Sequence, residues 1–252
     1  MRTNRSIEAM RQEIASCLTQ LRLGALTEHL KAQYDNPAFA NQCFERRLLD
    51  ALQQTCAERS GKTFAKLMDA AHLSGDVVNA SFDDYWLTPT REKYSSLMDE
   101  LQTGEWIEAE RPLNLVIAGP TGCGKSWIAC AMTRKACLLG LKVVYATSTK
   151  KVLSQLSDNE LLMKRLVKAQ LLVFDDFLLS PLTDTECQLM HTIIQARYQR
   201  RPTIILSQQP METWIKVMPP GSASDAILDP IFHFSRYIQL TGEKSLRKTE
   251  NE

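Results

Sequence analysis

Three short stretches hold residue types that can do chemistry. "GPTGCGKS", comprising Gly119, Pro120, Thr121, Gly122, Cys123, Gly124, Lys125 and Ser126, fits the pattern G-x-x-x-x-G-K-[ST] in full. Glycines there allow a tight turn that directs backbone N–H groups onto phosphate oxygens, and a following helix adds its positive end. Lys125 reaches the β and γ phosphates of a nucleoside triphosphate, and the Ser126 hydroxyl ligates magnesium. The second stretch, "QLLVFDDF", is an apolar run ending in Asp175 and Asp176. A carboxylate at such a strand end holds the metal, and an acid beside it can orient and deprotonate a water for attack on the γ phosphate. The competing reading of Asp176 is a loop cap, since Asp often begins turns. The third stretch, "IILSQQP", sets Gln208 at a strand tip, where an amide can help position that water.

These groups meet only if a scaffold brings them together. The apolar runs "LNLVIA", "KVVYATS", "QLLVFDD", "PTIILSQ" and "RYIQL" predict strands, separated by helices over Ser126–Leu139, Lys150–Lys168 and Thr183–Tyr198. Strand and helix in alternation imply a parallel sheet covered on both faces. Before it, Ile7, Met10, Ile14, Cys17, Leu18 and Leu21 recur at helical spacing, as do Phe44, Leu48, Leu49, Leu52 and Cys56, with "YDNPAFANQ" as a break. The expected organisation is a helical N-terminal domain over 1–72, a connector over 73–110 and an ATPase domain over 111–252.

Composition narrows the classes further. With 252 residues and 44% hydrophobic content the chain can bury a core, and its 30 basic against 29 acidic residues give no global attraction to nucleic acid or lipid. Any such binding rests on local patches. The seven cysteines include no Cys-x-x-Cys pair and no zinc spacing, which predicts a reducing, cytoplasmic setting. Cys130 and Cys137 read as small residues on the buried side of one helix. Neither a signal peptide's apolar core nor a membrane-length apolar run is present, so no membrane association is expected.

The order, spacing and surrounding words of these motifs resemble the IstB-like ATPases, the transposition helpers of insertion sequences. That family is related to DnaC-like helicase loaders within the AAA+ superfamily. The words that carry the likeness include "LNLVIAGPTGCGKSWIACAMTRKACLLGLKVVYATSTKKVLSQL", "LLVFDDFLLSPLTDTE", "SDAILDPIFHFSRYIQLTGEKSLRK" and, nearer the start, "LRLGALTEHLKAQ". The resemblance implies an α/β AAA+ P-loop domain with a five-stranded parallel sheet in the order 5-1-4-3-2, preceded by a small all-helical domain. It also implies ATP and Mg2+ at a subunit interface, homo-oligomers from dimer to ring or filament, target duplex DNA bound largely without sequence preference, and a partner transposase that is recruited and activated. Carried over residue by residue, Gly119 to Ser126 bind triphosphate, Ser126 and Asp175 hold the metal, Asp176 is the general base, Gln208 the first sensor and Arg247 the second.

One departure touches the chemistry. The family reads Asp-Arg after "AILD", and that arginine is the finger that reaches a neighbour's γ phosphate; this chain has Pro230 there. Proline offers no charge and no donor, which implies weak hydrolysis unless Arg236, Arg197 or another cation substitutes. A second departure is Leu178, where the family commonly has glycine. For DNA, Lys150, Lys151, Lys164, Arg165 and Lys168 form a basic set after the second strand, and the same residues also read as an ordinary solvated face. Two other readings of the chain stay open: a DnaC-like helicase loader, and a nucleotide-gated DNA-binding scaffold with little turnover.

Overall fold

Ser6 opens the first helix, its hydroxyl accepting from the Ala9 N–H at 3.2 Å, and α1 runs Ile7–Gln20. This computed structural model describes residues 6–73, 78–82 and 92–242. Helix α2 spans Gly24–Tyr34. The expected break is a tight turn at Pro37–Phe39, begun by the Asn36 side chain accepting from Ala38, and α3 then occupies Phe44–Ala71. The chain divides into two compact units, Met1–Thr63 and Phe64–Glu252.

Among the described residues of the first unit the buried apolar side chains are few, Leu26 and Ala51 among them. Polar contacts also join its helices. Arg11 lies over the Tyr34 ring at 4.2 Å and donates to Asp35 at 3.3 Å, His29 sits 3.0 Å from Glu58, and Gln33 donates to the Arg47 carbonyl at 3.0 Å. The apolar spacing of the N-terminus does form α1, yet Ile7, Met10, Ile14 and Leu21 stay exposed. Among the described residues of this unit the helices are too few to form a second layer over them.

The second unit is the α/β part. After α4 (Ser95–Thr103) and a tight turn at Glu105–Ile107 come β1 (Asn114–Ala118), α5 (Lys125–Leu138), β2 (Val143–Ala146) and α6 (Thr149–Ser154). There follow α7 (Glu160–Lys168), β3 (Leu171–Phe174), α8 (Asp184–Arg197), β4 (Thr203–Ser207), α9 (Trp214–Val217), α10 (Ser222–His233) and β5 (Ser235–Gln239). All strand pairs are parallel and the order is β2-β3-β4-β1-β5, the expected 5-1-4-3-2 read from the other edge.

Alternating side chains divide the core into two layers. Leu115, Ile117, Leu171, Val173, Ile204 and Leu206 pack with α5 on one face; Val116, Leu172, Phe174 and Ile205 pack with α8 and α10 on the other. Cys130 and Cys137 are buried on α5 as expected. Residues anticipated as connector contribute to the α5 layer: Met98, Leu101, Trp106 and Ile107 are buried, with the Trp106 indole N–H donating to the Leu101 carbonyl at 3.0 Å. The single helix predicted over Lys150–Lys168 is two. Asn159 accepts from Leu162 N–H at 2.9 Å and so begins a new helix after "QLSD". No helix among the described residues is long and apolar enough to cross a membrane.

Candidate nucleotide and metal site

The Gly119–Ser126 loop joins the end of β1 to the start of α5, at the carboxyl edge of the parallel sheet where ligands of such folds bind. Gly119 leaves the sheet under tight constraint: a Cβ there would lie 2.4 Å from the Leu240 carbonyl oxygen and 2.9 Å from Cys123 Sγ. Gly124 precedes α5 with φ +94°, a left-handed geometry that a side chain resists. Pro120 and Thr121 form an exposed crest, while Cys123 and Lys125 are buried. The first-turn N–H groups of α5 have no carbonyl of their own helix to bond, so they are available to an anion. Lys125 folds back under the loop, its ammonium donating to the Gly119 and Pro120 carbonyls at 2.8 and 2.9 Å. Those carbonyls occupy donors that phosphate oxygens can also accept from.

The metal end is assembled from three strands. Ser126 Oγ donates to Asp175 Oδ2 at 2.9 Å, joining residues 49 positions apart in the chain. The Asp175 N–H bonds the Ala146 carbonyl at 2.9 Å, continuing the β2–β3 ladder by one rung, and Thr149 Oγ1 donates to the Asp175 carbonyl at 2.7 Å. Burial pushes the Asp175 carboxyl above the usual carboxylate range, against the opposing pull of donors from Tyr145, the Asp176 N–H and Ser126. A hydroxyl and a carboxylate, hard oxygen donors side by side, suit Mg2+ when phosphate oxygens and water complete its shell.

Asp176 follows with φ +50°, and its N–H caps Asp175 Oδ1 at 2.8 Å. Asp tolerates this left-handed backbone better than most residues. The turn is pinned from below: Phe177 N–H bonds the Leu206 carbonyl at 2.8 Å, and its ring meets Trp214 edge-on at 4.8 Å. Leu178 also has φ +53°, which explains physically why glycine suits that position. On the other side, Gly119 N–H bonds the Ser207 carbonyl at 3.1 Å. The tip of β4 therefore lies between the phosphate loop and the paired acids, and Gln208 is the next residue. Thus Lys125, Ser126, Asp175, Asp176 and Gln208 converge on one edge of the sheet.

The remaining expected residues divide. Arg247 lies outside the described residues. Lys150 and Lys151 are exposed on α6, with Lys150 donating to the Pro181 carbonyl at 2.8 Å. On α7, Lys164 pairs with Glu160 at 2.6 Å, Arg165 donates to the Ala70 carbonyl, and Lys168 is exposed. Pro230 is buried inside α10, and its missing N–H leaves the Ala226 carbonyl to the Gln195 amide at 3.4 Å. Neither named substitute for the finger is loose. Arg236 pairs with Glu100 at 2.5 Å, and Arg197 is 2% exposed with its guanidinium bonded to several carbonyls, so it serves as an internal brace.

Tyr145 was not legible as a site residue. Its hydroxyl donates to Asp175 Oδ2 at 2.8 Å from the end of β2. Within a strand pattern a tyrosine reads as packing, and no sequence signal places its hydroxyl.

Residues 16–252 match the family model described as IstB-like ATP binding protein. The chain belongs to that family. It is 30% identical over 235 residues to the putative insertion sequence ATP-binding protein y4uH of Sinorhizobium fredii, covering 91% of this chain and 93% of that one. It is 32% identical over 210 residues to the IS1162 putative ATP-binding protein of Pseudomonas fluorescens, covering 81% of this IstB-like chain and 89% of the relative. Among solved structures, DnaI superposes with a TM-score of 0.61 at 17% identity over 72% of this chain and all (100%) of its own. The DnaC helicase loader superposes with a TM-score of 0.53 at 19% identity, over 66% and 99% of the two chains. These likenesses establish the AAA+ P-loop fold.

Proposed function

We propose that this IstB-like chain is an ATP-dependent DNA-binding helper that oligomerises on target DNA and recruits and activates a partner transposase. The observation that carries the reading is the joining of the two halves of a triphosphate site through the Ser126 to Asp175 hydrogen bond, with Lys125 buried beneath the loop. Relatives named as insertion sequence ATP-binding proteins support the biological setting.

In this reading Gly119 to Ser126 hold the triphosphate, and Ser126 with Asp175 hold Mg2+, which supplies charge neutralisation at the phosphates. Asp176 takes the proton of the attacking water, Gln208 orients that water, and Arg247 acts as the second sensor of the nucleotide. Lys150, Lys151, Lys164, Arg165 and Lys168 meet DNA phosphates, a contact that tolerates any sequence and weakens with salt.

A specific observation favours slow turnover. Position 230 is a buried proline, and Arg197 and Arg236 are both already engaged. Hydrolysis then acts as a slow timer on an assembly that ATP binding builds.

The test pairs light scattering with steady-state ATPase measurement, with and without duplex DNA. Wild type should enlarge on addition of Mg·ATP, and Asp176→Asn should assemble equally while losing turnover by roughly a hundredfold or more. A wild-type chain whose size ignores Mg·ATP at every concentration overturns the assembly reading. Undiminished turnover in Asp176→Asn removes the assigned base.

A further inference from the structure

The Asp175 carboxylate is held on both oxygens before any metal arrives. Oδ1 accepts the Asp176 N–H at 2.8 Å, and Oδ2 accepts Ser126 Oγ at 2.9 Å together with the Tyr145 hydroxyl at 2.8 Å. The first two donors come from the phosphate loop and the acid pair themselves. The third comes from neither, since it reaches across from β2, where Tyr145 stands opposite Val173 of the neighbouring strand.

Tyr145 is 7% exposed and packs in the α5 layer of the core. Cys130 of α5 belongs to the same buried layer, and burial pushes its thiol up to about 12. The thiol therefore stays protonated at neutral pH. The Tyr145 hydroxyl thus ties the end of β2 to the carboxylate that follows β3. Nothing in packing alone requires the oxygen, because phenylalanine would fill the same apolar space.

We propose that Tyr145 is a positioning residue for the metal end of the site, holding the Asp175 carboxylate beside Ser126 so that a divalent cation meets a prearranged pair of oxygen ligands. The inference rests on the nucleotide-site reading above. Outer partners that orient metal ligands typically change metal affinity about 10–100-fold when removed, and loss of one hydroxyl donor to a carboxylate belongs at the lower end of that range. The phosphate loop has its own donors and does not depend on this hydroxyl, so affinity for metal-free nucleotide should be untouched.

The experiment uses the full chain, Mn2+ as the probe and a non-hydrolysable ATP analogue. Free Mn2+ is followed by electron paramagnetic resonance, and metal-free analogue binding in EDTA by fluorescence. Tyr145→Phe should raise the half-saturating Mn2+ concentration about tenfold while leaving analogue affinity in EDTA within about twofold. Cys130→Ala loosens the same core but leaves the phenol in place, and should leave Mn2+ half-saturation within about twofold.

An unchanged Mn2+ midpoint in Tyr145→Phe overturns the proposal. So does an equal loss of analogue affinity in EDTA, or an equal shift in Cys130→Ala, because either marks general loosening of the core. A wild-type chain that binds no analogue overturns the nucleotide site itself, and is distinguished from the other outcomes by failing before any variant is compared.

Discussion

Replacing Arg197 by methionine separates an internal brace from a catalytic finger. The guanidinium donates to the carbonyls of Leu166 at 2.8 Å, Val167 at 3.3 Å, Ala169 at 2.7 Å and Pro202 at 2.6 Å, and to Thr203 Oγ1 at 3.0 Å. Not all of these acceptors are orphaned by its loss. Val167 keeps the Arg201 guanidinium at 3.2 Å, and Pro202 keeps the Leu172 N–H at 3.4 Å. The carbonyls of Leu166 and Ala169, at the C-terminal end of α7, lose their strong donor, and each such buried group costs about 1–3 kcal/mol. Methionine retains the apolar stem and avoids burying a charge, which offsets part of the cost, since desolvation presses the guanidinium's pKa down to about 9. A net loss of about 3 kcal/mol follows, equivalent to about 10 °C in melting midpoint for a unit of this size. Thermal unfolding by circular dichroism reads the shift, and ATPase assays well below the midpoint read the chemistry. Unchanged stability with turnover reduced about a thousandfold, the signature of a lost finger, would refute the brace.

Two other substitutions test the site from either side. Gly119→Ala should cost more than ~1 kcal/mol and abolish tight nucleotide binding, because its Cβ would meet the Leu240 carbonyl oxygen at 2.4 Å; a denaturant midpoint and nucleotide affinity equal to wild type would contradict this. Pro230→Arg should raise DNA-stimulated turnover about tenfold or more if hydrolysis is slow for want of a finger, and an unaltered kcat in assembled protein would locate the limitation elsewhere.

Much of the site could be read along the chain because its parts are local. A glycine-rich turn between a strand and a helix needs only eight consecutive residues, Gly119 to Ser126, and paired acids at a strand end need two more, Asp175 and Asp176. Helix limits were less legible. Asn159 begins a new helix inside a stretch whose periodicity ran on from Lys150, because a side-chain cap competes successfully with continued turns. Apolar spacing predicted α1 correctly, while the exposure of Ile7 and Leu21 depended on how few helices surround it. The basic set on α6 and α7 looked uniform in the sequence, yet Lys164 is paired with Glu160 and Arg165 with a helix-end carbonyl.

By itself the sequence determined the phosphate loop, the acid pair, the alternation that builds a parallel sheet and the substitution of a proline at position 230. These follow from residue type and short spacing, where steric and hydrogen-bonding preferences act between near neighbours. Only the tertiary structure decided that the phenol of Tyr145 reaches Asp175, 30 residues away, and that Arg197 faces inward to Leu166, 31 residues away. A hydrogen bond between distant residues depends on strand order and helix placement to within a fraction of an ångström, and no local pattern encodes that distance.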